Sequence, residues 1–272
     1  MPAVRSRRRI AATVLSLLVL LSVACSEDDG REAVPTTSTA QPAPLSILVT
    51  NDDGYAAPGI DAVVEALRKE PKVHIDVVAP ATNQSGQGEK TTPGELGVEV
   101  VRTKSGYPAT SVAGYPADAV NVALDKLHLT PDLVVSGTNA GQNIGEFVEH
   151  SGTIGAAKAA AKRGIPALAA STGKSSTPDY RGSAVLVVRW FREHRAAVAA
   201  DRGEATVESL NVPTCTTGKW RGLVETKVAV SFDGRPAAGA SNCLSTKPKD
   251  ELADDVDAFL HGFATLTPIP VG

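Results

Sequence analysis

Short, wholly apolar runs alternate with stretches of helical periodicity from Leu45 onward, and this alternation restricts the fold more than any other feature. Such runs form strands that are buried on both faces, which a parallel sheet covered by helices provides. The sequence therefore predicts an α/β fold with three layers, a Rossmann-like, mostly parallel sheet with helices on both faces. The predicted strands are Ser46–Thr50, Val73–Ala79, Asp132–Ser136 and Pro166–Ser171, and the predicted helices are one beginning at Pro58, then Ala117–Leu127, Thr153–Arg163 and Tyr180–Ala199.

The pattern changes beyond Thr206, where extended segments are separated by turn residues. We expect a C-terminal β-rich arm or hairpin appended to the core.

The N-terminus has the pattern of an export signal. A basic stretch ending at Arg9 precedes an uncharged run up to Ala24, shorter than the ~20 residues of a membrane-spanning helix. The small residue before Cys25 resembles a bacterial lipoprotein signal, although Ser22 stands where such signals usually have leucine. We expect a signal peptide at 1–24, a lipidated Cys25 and a location on the extracytoplasmic face of a bacterial cell membrane. Ordinary secretion is the alternative.

Residues 25–44 are acidic and then rich in Pro, Thr and Ser, with almost nothing to bury. We expect a disordered spacer there and a folded domain at 45–272. Once Cys25 carries lipid, two cysteines remain, and disulfides persist in exported proteins. A Cys215–Cys243 disulfide is therefore expected, with two buried free thiols as the alternative.

The mature chain is acidic. Of the 27 Lys and Arg residues, four lie in the leader (Arg5, Arg7, Arg8 and Arg9), which leaves 23 against 30 acidic residues and a net charge of −7. A surface that wraps duplex nucleic acid or binds anionic lipid needs clustered positive charge. We expect neither partner, and contact with the membrane only through the N-terminal lipid.

Polar side chains follow three of the predicted strands, at the edge where an α/β sheet binds its ligand. These clusters are Asn51–Gly54, Asn83–Gly86 and Ser136–Asn143. They bring carboxylate, hydroxyl and amide oxygens to one edge, and these hard donors bind Mg²⁺, Mn²⁺ or Ca²⁺.

Asp52 and Asp53 are the most informative pair. Consecutive side chains of an extended chain point to opposite sides, so both can bind one cation only if the chain turns, as Gly54 permits. A solvated Asp-Gly turn is the alternative, but the pair directly follows a buried strand.

The ordered set of motifs resembles the SurE survival-protein family and spans Leu45 to Ile269. The matching segments are Asn51–Ile60, Pro80–Gly86, Gly114–Val120, Ser136–Asn143, Ser151–Ala157, Leu210–Pro213 and Gly262–Ile269. The resemblance implies a metal-dependent nucleotidase that hydrolyses nucleoside 5′- or 3′-monophosphates. It also implies a homodimer or homotetramer.

The resemblance further implies the residues of the site. One divalent cation, Mg²⁺ or Mn²⁺, would be held by Asp52, Asp53, Ser85 and Asn139. Asp52 or Asp53 would accept the proton of the attacking water, and Asn51 would join them as a catalytic residue.

Ser151, Gly152 and Thr153 begin a predicted helix, whose free N–H groups and dipole form a natural phosphate site. We expect these residues and Asn143 to bind substrate. A plain N-cap is the structural alternative, and the two roles are compatible.

Two residues depart from the family pattern. His150 stands where an aromatic residue is common, and Lys158 where an acidic or neutral residue is usual. We interpret His150 as a solvated loop residue, with a proton donor as the alternative, and Lys158 as a helix-surface lysine.

Other chemistries lack their motifs. The sequence has no Gly-x-Ser-x-Gly elbow, no complete phosphate-binding loop at Gly173–Ser175, no zinc-ligand spacing among its histidines and no dinucleotide fingerprint. One alternative function stays open. A solute-binding lipoprotein could use the same loops to hold a phosphorylated ligand without cleaving it.

Overall fold

Residues 44–200, 205–236 and 240–272 are described in the computed structural model. The predicted signal peptide, Cys25 and the spacer up to residue 43 lie outside the described residues. Within the described ranges, the strands are β1 (Leu45–Thr50), β2 (Val73–Pro80), β3 (Val98–Arg102), β4 (Pro108–Val112), β5 (Leu133–Asn139), β6 (Ala167–Thr172), β7 (Val207–Val212), β8 (Leu223–Glu225) and β9 (Ala264–Ile269).

These strands form one sheet in the order β3-β4-β2-β1-β5-β6-β7-β9-β8. The central run from β4 to β7 is parallel throughout. Antiparallel pairing occurs between β3 and β4 and between β7 and β9. The predicted fold class, a mostly parallel Rossmann-like sheet, is confirmed.

Helices cover both faces of the sheet. Helices α1 (Pro58–Leu67) and α4 (Tyr180–Ala199) pack on one face, and α2 (Pro116–Asn121) and α3 (Gly152–Ala161) pack on the other. Side chains alternate between these two layers along β1, with Ile47 and Val49 facing α1 and α4 and Leu48 facing α2 and α3. A short helix, α5 (Asp255–Leu260), precedes β9.

The single helix expected over Ala117–Leu127 is wrong in detail. Helix α2 ends at Asn121 and continues as a π-helical turn, Val122–Lys126, in which the Leu127 N–H donates to the Val122 carbonyl. The β3–β4 hairpin was not predicted, because its β3 strand is largely exposed and has no continuous apolar run.

The C-terminal segment contains strands, as expected, but they do not form a separate arm. Strand β7 pairs in parallel with β6, and β9 and β8 follow it at the edge of the same sheet. The arm or hairpin expected beside the core consists of three strands that complete the central sheet. The reason is that β7 and β9 are buried and contribute to both layers of the core.

The Sγ atoms of Cys215 and Cys243 lie at bonding distance, 1.92 Å, in the segment between β7 and α5. The structure thus has the geometry of the expected disulfide, and its formation in the protein stays a prediction. Among the described residues, none of the helices combines the length and apolar character that crossing a bilayer requires.

Candidate functional site

The site lies where the order of strands reverses. Strand β1 has β2 on one side and β5 on the other. The chain therefore adds strands first on the β2 side of β1 and then, from β5 onward, on the other side. In open α/β sheets, the crevice beyond the carboxyl ends of such a strand pair is the usual ligand site. The loops after β1, β2 and β5 and the first turn of α3 all meet at this point.

Asp52 is buried against the start of α3. Asp52 is 2% exposed, and its Oδ1 accepts a hydrogen bond from the Thr153 hydroxyl at 2.8 Å. Burial, and then the charge of Asp53, raise the pKa of the Asp52 carboxyl to about 6. A carboxylate in such surroundings is stabilised by a nearby cation.

Asp53 joins the other two loops. Its Oδ1 accepts from the Asn83 side-chain amide at 3.0 Å, and its Oδ2 accepts from the Ala140 backbone N–H at 3.0 Å. Burial raises the pKa of Asp53 as well, against the lowering effect of these two hydrogen bonds. The residue thereby ties the ends of β1, β2 and β5 together.

A tight turn separates the two carboxylates from the helix that follows. Gly54 has φ +100°, and a Cβ there would lie 3.3 Å from the Thr82 carbonyl carbon. The Asn51 side chain closes the turn, because its Nδ2 donates to the Gly54 carbonyl at 2.9 Å and its Oδ1 accepts from the Gly54 N–H at 3.2 Å. In the structure, Asn51 thus holds the turn that carries the acidic pair.

Ser85 and Asn139 supply the other two predicted metal ligands. Ser85 is exposed, and its backbone N–H donates to Asn83 Oδ1 at 2.9 Å, which links it to Asp53 through Asn83. The Asn139 amide nitrogen donates to the Gly141 carbonyl at 2.7 Å. Because the amide nitrogen is engaged in this bond, the Asn139 Oδ1 is the side-chain atom that would bind a cation.

The chemistry of these donors fits a divalent cation. Two carboxylates, a hydroxyl and an amide oxygen are hard ligands of the kind that Mg²⁺ and Mn²⁺ bind. Within the described ranges, no group of three or more His, Cys, Asp or Glu side chains is arranged to hold a metal. A site with two acidic residues completed by neutral oxygens suits a hard cation better than zinc.

Ser151 caps α3, as the structural alternative predicts. Its Oγ accepts from the Ile154 N–H at 3.2 Å, so the first turn of the helix is fixed beside Asp52. Gly152 permits this closeness, because a Cβ there would lie 2.9 Å from the Asp52 Cβ and 3.2 Å from its Oδ2. The helix start and the buried carboxylate are therefore in direct contact.

Asn143 is buried beneath the site in a network that reaches β7. Its Nδ2 donates to Ser171 Oγ at 2.9 Å and to Thr153 Oγ1 at 3.4 Å. The Asn211 side chain accepts from the Asn143 N–H at 2.7 Å and donates to the Asn143 carbonyl at 3.2 Å. Asn211 was missed as a positioning residue, although a polar side chain inside an apolar strand was the available signal.

The two residues that depart from the family pattern have different outcomes. His150 is exposed, as expected, but it is the last residue of a 3₁₀ helix, Gly145–His150, rather than a loop residue. Its carbonyl accepts from the Gly88 N–H at 3.0 Å. The interpretation of Lys158 as a surface residue is wrong. Lys158 is only 9% exposed, and its Nζ lies 3.1 Å from Oε1 of Glu89 in the loop after β2.

Comparisons with known proteins point to one family. Residues 47–234 match the family model described as Survival protein SurE. The chain is 39% identical over 240 residues to the 5′-nucleotidase SurE of Geobacter metallireducens, covering 83% of this chain and 91% of that protein. It is 36% identical over 241 residues to the 5′-nucleotidase SurE of Methanoculleus marisnigri, covering 82% and 90%. The crystal structure of the SurE protein from Aquifex aeolicus superimposes with a TM-score of 0.65 at 26% identity, covering 84% of this chain and 94% of that one.

Proposed function

The chain belongs to the SurE family, and we propose that it is a nucleotidase that hydrolyses nucleoside 5′-monophosphates to nucleoside and phosphate. One observation carries the proposal. A buried carboxylate, Asp52, stands between a second carboxylate and the first turn of α3 at the strand-order reversal. This arrangement offers negative charge for a cation and N–H groups for a phosphate within one crevice. Hydrolysis of 3′-monophosphates is part of the proposal and rests on the sequence resemblance.

Four residues would hold the divalent cation, Asp52, Asp53, Ser85 and Asn139. When bound, Mg²⁺ or Mn²⁺ supplies charge neutralisation for the phosphoryl oxygens and lowers the pKa of a coordinated water. Two features of the protein support this donor set. Asp53 contacts the loops that carry the other two ligands, and burial raises the carboxyl pKa values of both aspartates, so that a bound cation would stabilise their charged forms.

The protein's own groups would then position the substrate. The positive end of the α3 dipole would favour a phosphate bound nearby, and Ser151 keeps the first turn of α3 in place. Thr153 orients Asp52 through its hydroxyl, and Asn143 is held by Asn211 from below. Asp52 or Asp53 would accept the proton of the attacking water, since both carboxylates lie at the same end of the sheet.

Phosphate release from adenosine 5′-monophosphate tests the proposal. We expect turnover by the purified protein with Mg²⁺ or Mn²⁺, no turnover in excess chelator, and recovery when the metal is restored. Asp52→Asn should lower kcat by a factor of about 100 or more while the protein stays folded, because it removes a buried ligand charge. Asp250→Asn is the matched control, since Asp250 is exposed in a short 3₁₀ helix.

The outcomes separate the candidate functions. Tight binding of adenosine monophosphate without any phosphate release would favour the solute-binding lipoprotein over the nucleotidase. Equal loss of activity in both variants would remove the special role of Asp52. Repeating the assay with adenosine 3′-monophosphate measures the second activity separately.

The location and assembly of the protein are part of the same proposal. A signal peptide at 1–24, a lipidated Cys25, a spacer at 25–44 and a catalytic domain at 45–272 would hold the enzyme outside the bacterial cytoplasm. The apolar run before Cys25 supports this organisation. We expect a homodimer or homotetramer, which sedimentation of the purified protein would measure.

A further inference from the structure

A hollow of about 410 Å³ opens beside Asp53, on the side of the sheet opposite α3. Its walls come from the loops after β1, β2 and β5 and from the first residue of α4. They include Pro58, Asn83, Ala140 and Tyr180, with Asp53 at one end. The volume lies in the range of small-molecule sites, about 300–1,000 Å³, and most of the lining is small and apolar.

The Tyr180 ring forms one wall and is fixed by its surroundings. Tyr180 is the first residue of α4, and Asp179 is the N-cap of that helix. The Asp179 Oδ1 accepts from the Gly182 N–H at 2.8 Å, and the Asp179 backbone N–H donates to Thr214 Oγ1 at 3.2 Å. The ring packs against α1, because a Cβ on Gly59 would lie 3.0 Å from Tyr180 Cε1. These contacts hold the ring in place on this side of the hollow.

The hydroxyl of Tyr180 has no hydrogen-bond partner within the part of the chain that the structure describes. A neutral aromatic ring with an unpaired hydroxyl offers a face for stacking and an edge for one hydrogen bond.

The two aspartates face different surroundings, which suit different parts of a substrate. Asp52 faces Thr153 and the start of α3, where the phosphate is expected, whereas Asp53 borders the hollow. A phosphate ester bound to a cation held by the two carboxylates, with its phosphate near the start of α3, would extend its organic group along the sheet edge into this hollow. A nucleobase is the part of a nucleotide that has an apolar, aromatic face.

We propose that this hollow binds the nucleoside part of the substrate, with the base against the Tyr180 ring. The proposal rests on the nucleotidase function and extends it, because it explains how the enzyme would distinguish a nucleotide from a simpler phosphate ester.

The test compares substrates and a product. Adenosine 5′-monophosphate and ribose 5-phosphate share the phosphate and sugar but differ in the base, so the ratio of their KM values reports base binding. Equilibrium binding of adenosine, measured by calorimetry, gives a second readout that needs no turnover. Stacking of one base on an aromatic side chain predicts an affinity change of about tenfold on its removal.

Tyr180→Ala should raise the KM for adenosine monophosphate and weaken adenosine binding about tenfold, while the KM for ribose 5-phosphate changes less than about twofold. Tyr180→Phe should keep base binding, because the ring remains. Val185→Ala, an exposed change on the same helix, is the matched control. If Tyr180→Ala fails to fold, Tyr180→Leu keeps apolar bulk against Gly59 without an aromatic face.

The results separate the two proposals. No phosphate release from either substrate by the unaltered protein would overturn the nucleotidase function. Release from both, with Tyr180→Ala or Tyr180→Leu affecting them equally or not at all, would overturn the nucleoside site alone. Adenosine binding that is lost in these variants but kept in Tyr180→Phe would support the site independently of turnover.

Discussion

Thr153 is the residue whose replacement tests the site most sharply, because one hydroxyl connects the helix start to the buried carboxylate. Its Oγ1 donates to Asp52 Oδ1 at 2.8 Å, and the residue is fully buried. A hydrogen bond to a charged group contributes roughly 1.5–3 kcal/mol, and at neutral pH Asp52, with a pKa of about 6, is mostly ionised. Thr153→Val keeps the shape and removes the donor. We therefore expect kcat to fall about 10- to 100-fold and the free energy of unfolding to fall by about 1–3 kcal/mol.

Two further variants make this expectation specific. Thr153→Ser keeps a hydroxyl and should retain kcat within about threefold. Thr267→Val makes the same chemical change on β9, where the buried hydroxyl has no partner among the described residues. Since an unpaired buried hydroxyl carries a desolvation cost, Thr267→Val should leave kcat unchanged and keep or raise the melting temperature. Steady-state kinetics and thermal unfolding of all three proteins measure both effects. Unchanged kcat in Thr153→Val would refute the role of this hydroxyl in the site.

Three other predictions concern Cys25, the Cys215–Cys243 pair and His194. Cys25→Ala should move the protein from the membrane fraction to the soluble fraction; a native protein already soluble with an N-terminus beyond Cys25 would contradict the lipid anchor. A disulfide between Cys215 and Cys243, which are 28 residues apart, should contribute roughly 3–4 kcal/mol to the free energy of unfolding, less any strain. Reduction should therefore lower the melting temperature. Two titratable thiols in the denatured, unreduced protein would disprove the bond. The hydrogen bond to Glu208 raises the pKa of His194. The stabilisation from this pair is therefore complete below the pKa of the unfolded state and is lost as pH rises through the raised pKa of the folded state. The difference in melting temperature between the unaltered protein and His194→Gln should accordingly be larger at about pH 6 than at about pH 8.

The sequence predicted those features that local patterns determine. Continuous apolar runs identified the parallel strands β1, β2, β5 and β6, and the helix Tyr180–Ala199 was predicted with the bounds that the structure has. The β3–β4 hairpin was missed because an exposed strand has no continuous apolar run. The C-terminal strands were recognised as extended but were not placed in the central sheet, since pairing between strands far apart in sequence leaves no periodicity.

The candidate site shows the same division. The aspartate pair was recognisable because a doublet after a buried strand is unusual, whereas its partners come from distant parts of the chain. The Thr153 hydroxyl reaches Asp52 across 101 residues, and Asn211 reaches Asn143 across 68. Lys158 was misjudged for a related reason. The helical pattern placed Lys158 on the surface, but Glu89 from another loop lies over it and forms an ion pair with its Nζ.

The alternation of side chains along β1 shows how two adjacent carboxylates at its end can have different neighbours while both hold one cation. Residues on one side of this strand pack toward α2 and α3, and those on the other pack toward α1 and α4. The turn at Gly54 continues this division, so that Asp52 meets α3 while Asp53 borders the hollow that Tyr180 closes. Because the reacting phosphate and the nucleoside would lie on opposite sides of the sheet edge, substitutions near α3 should act mainly on kcat. Substitutions near the start of α4 should act mainly on KM, since base binding there precedes the chemical step.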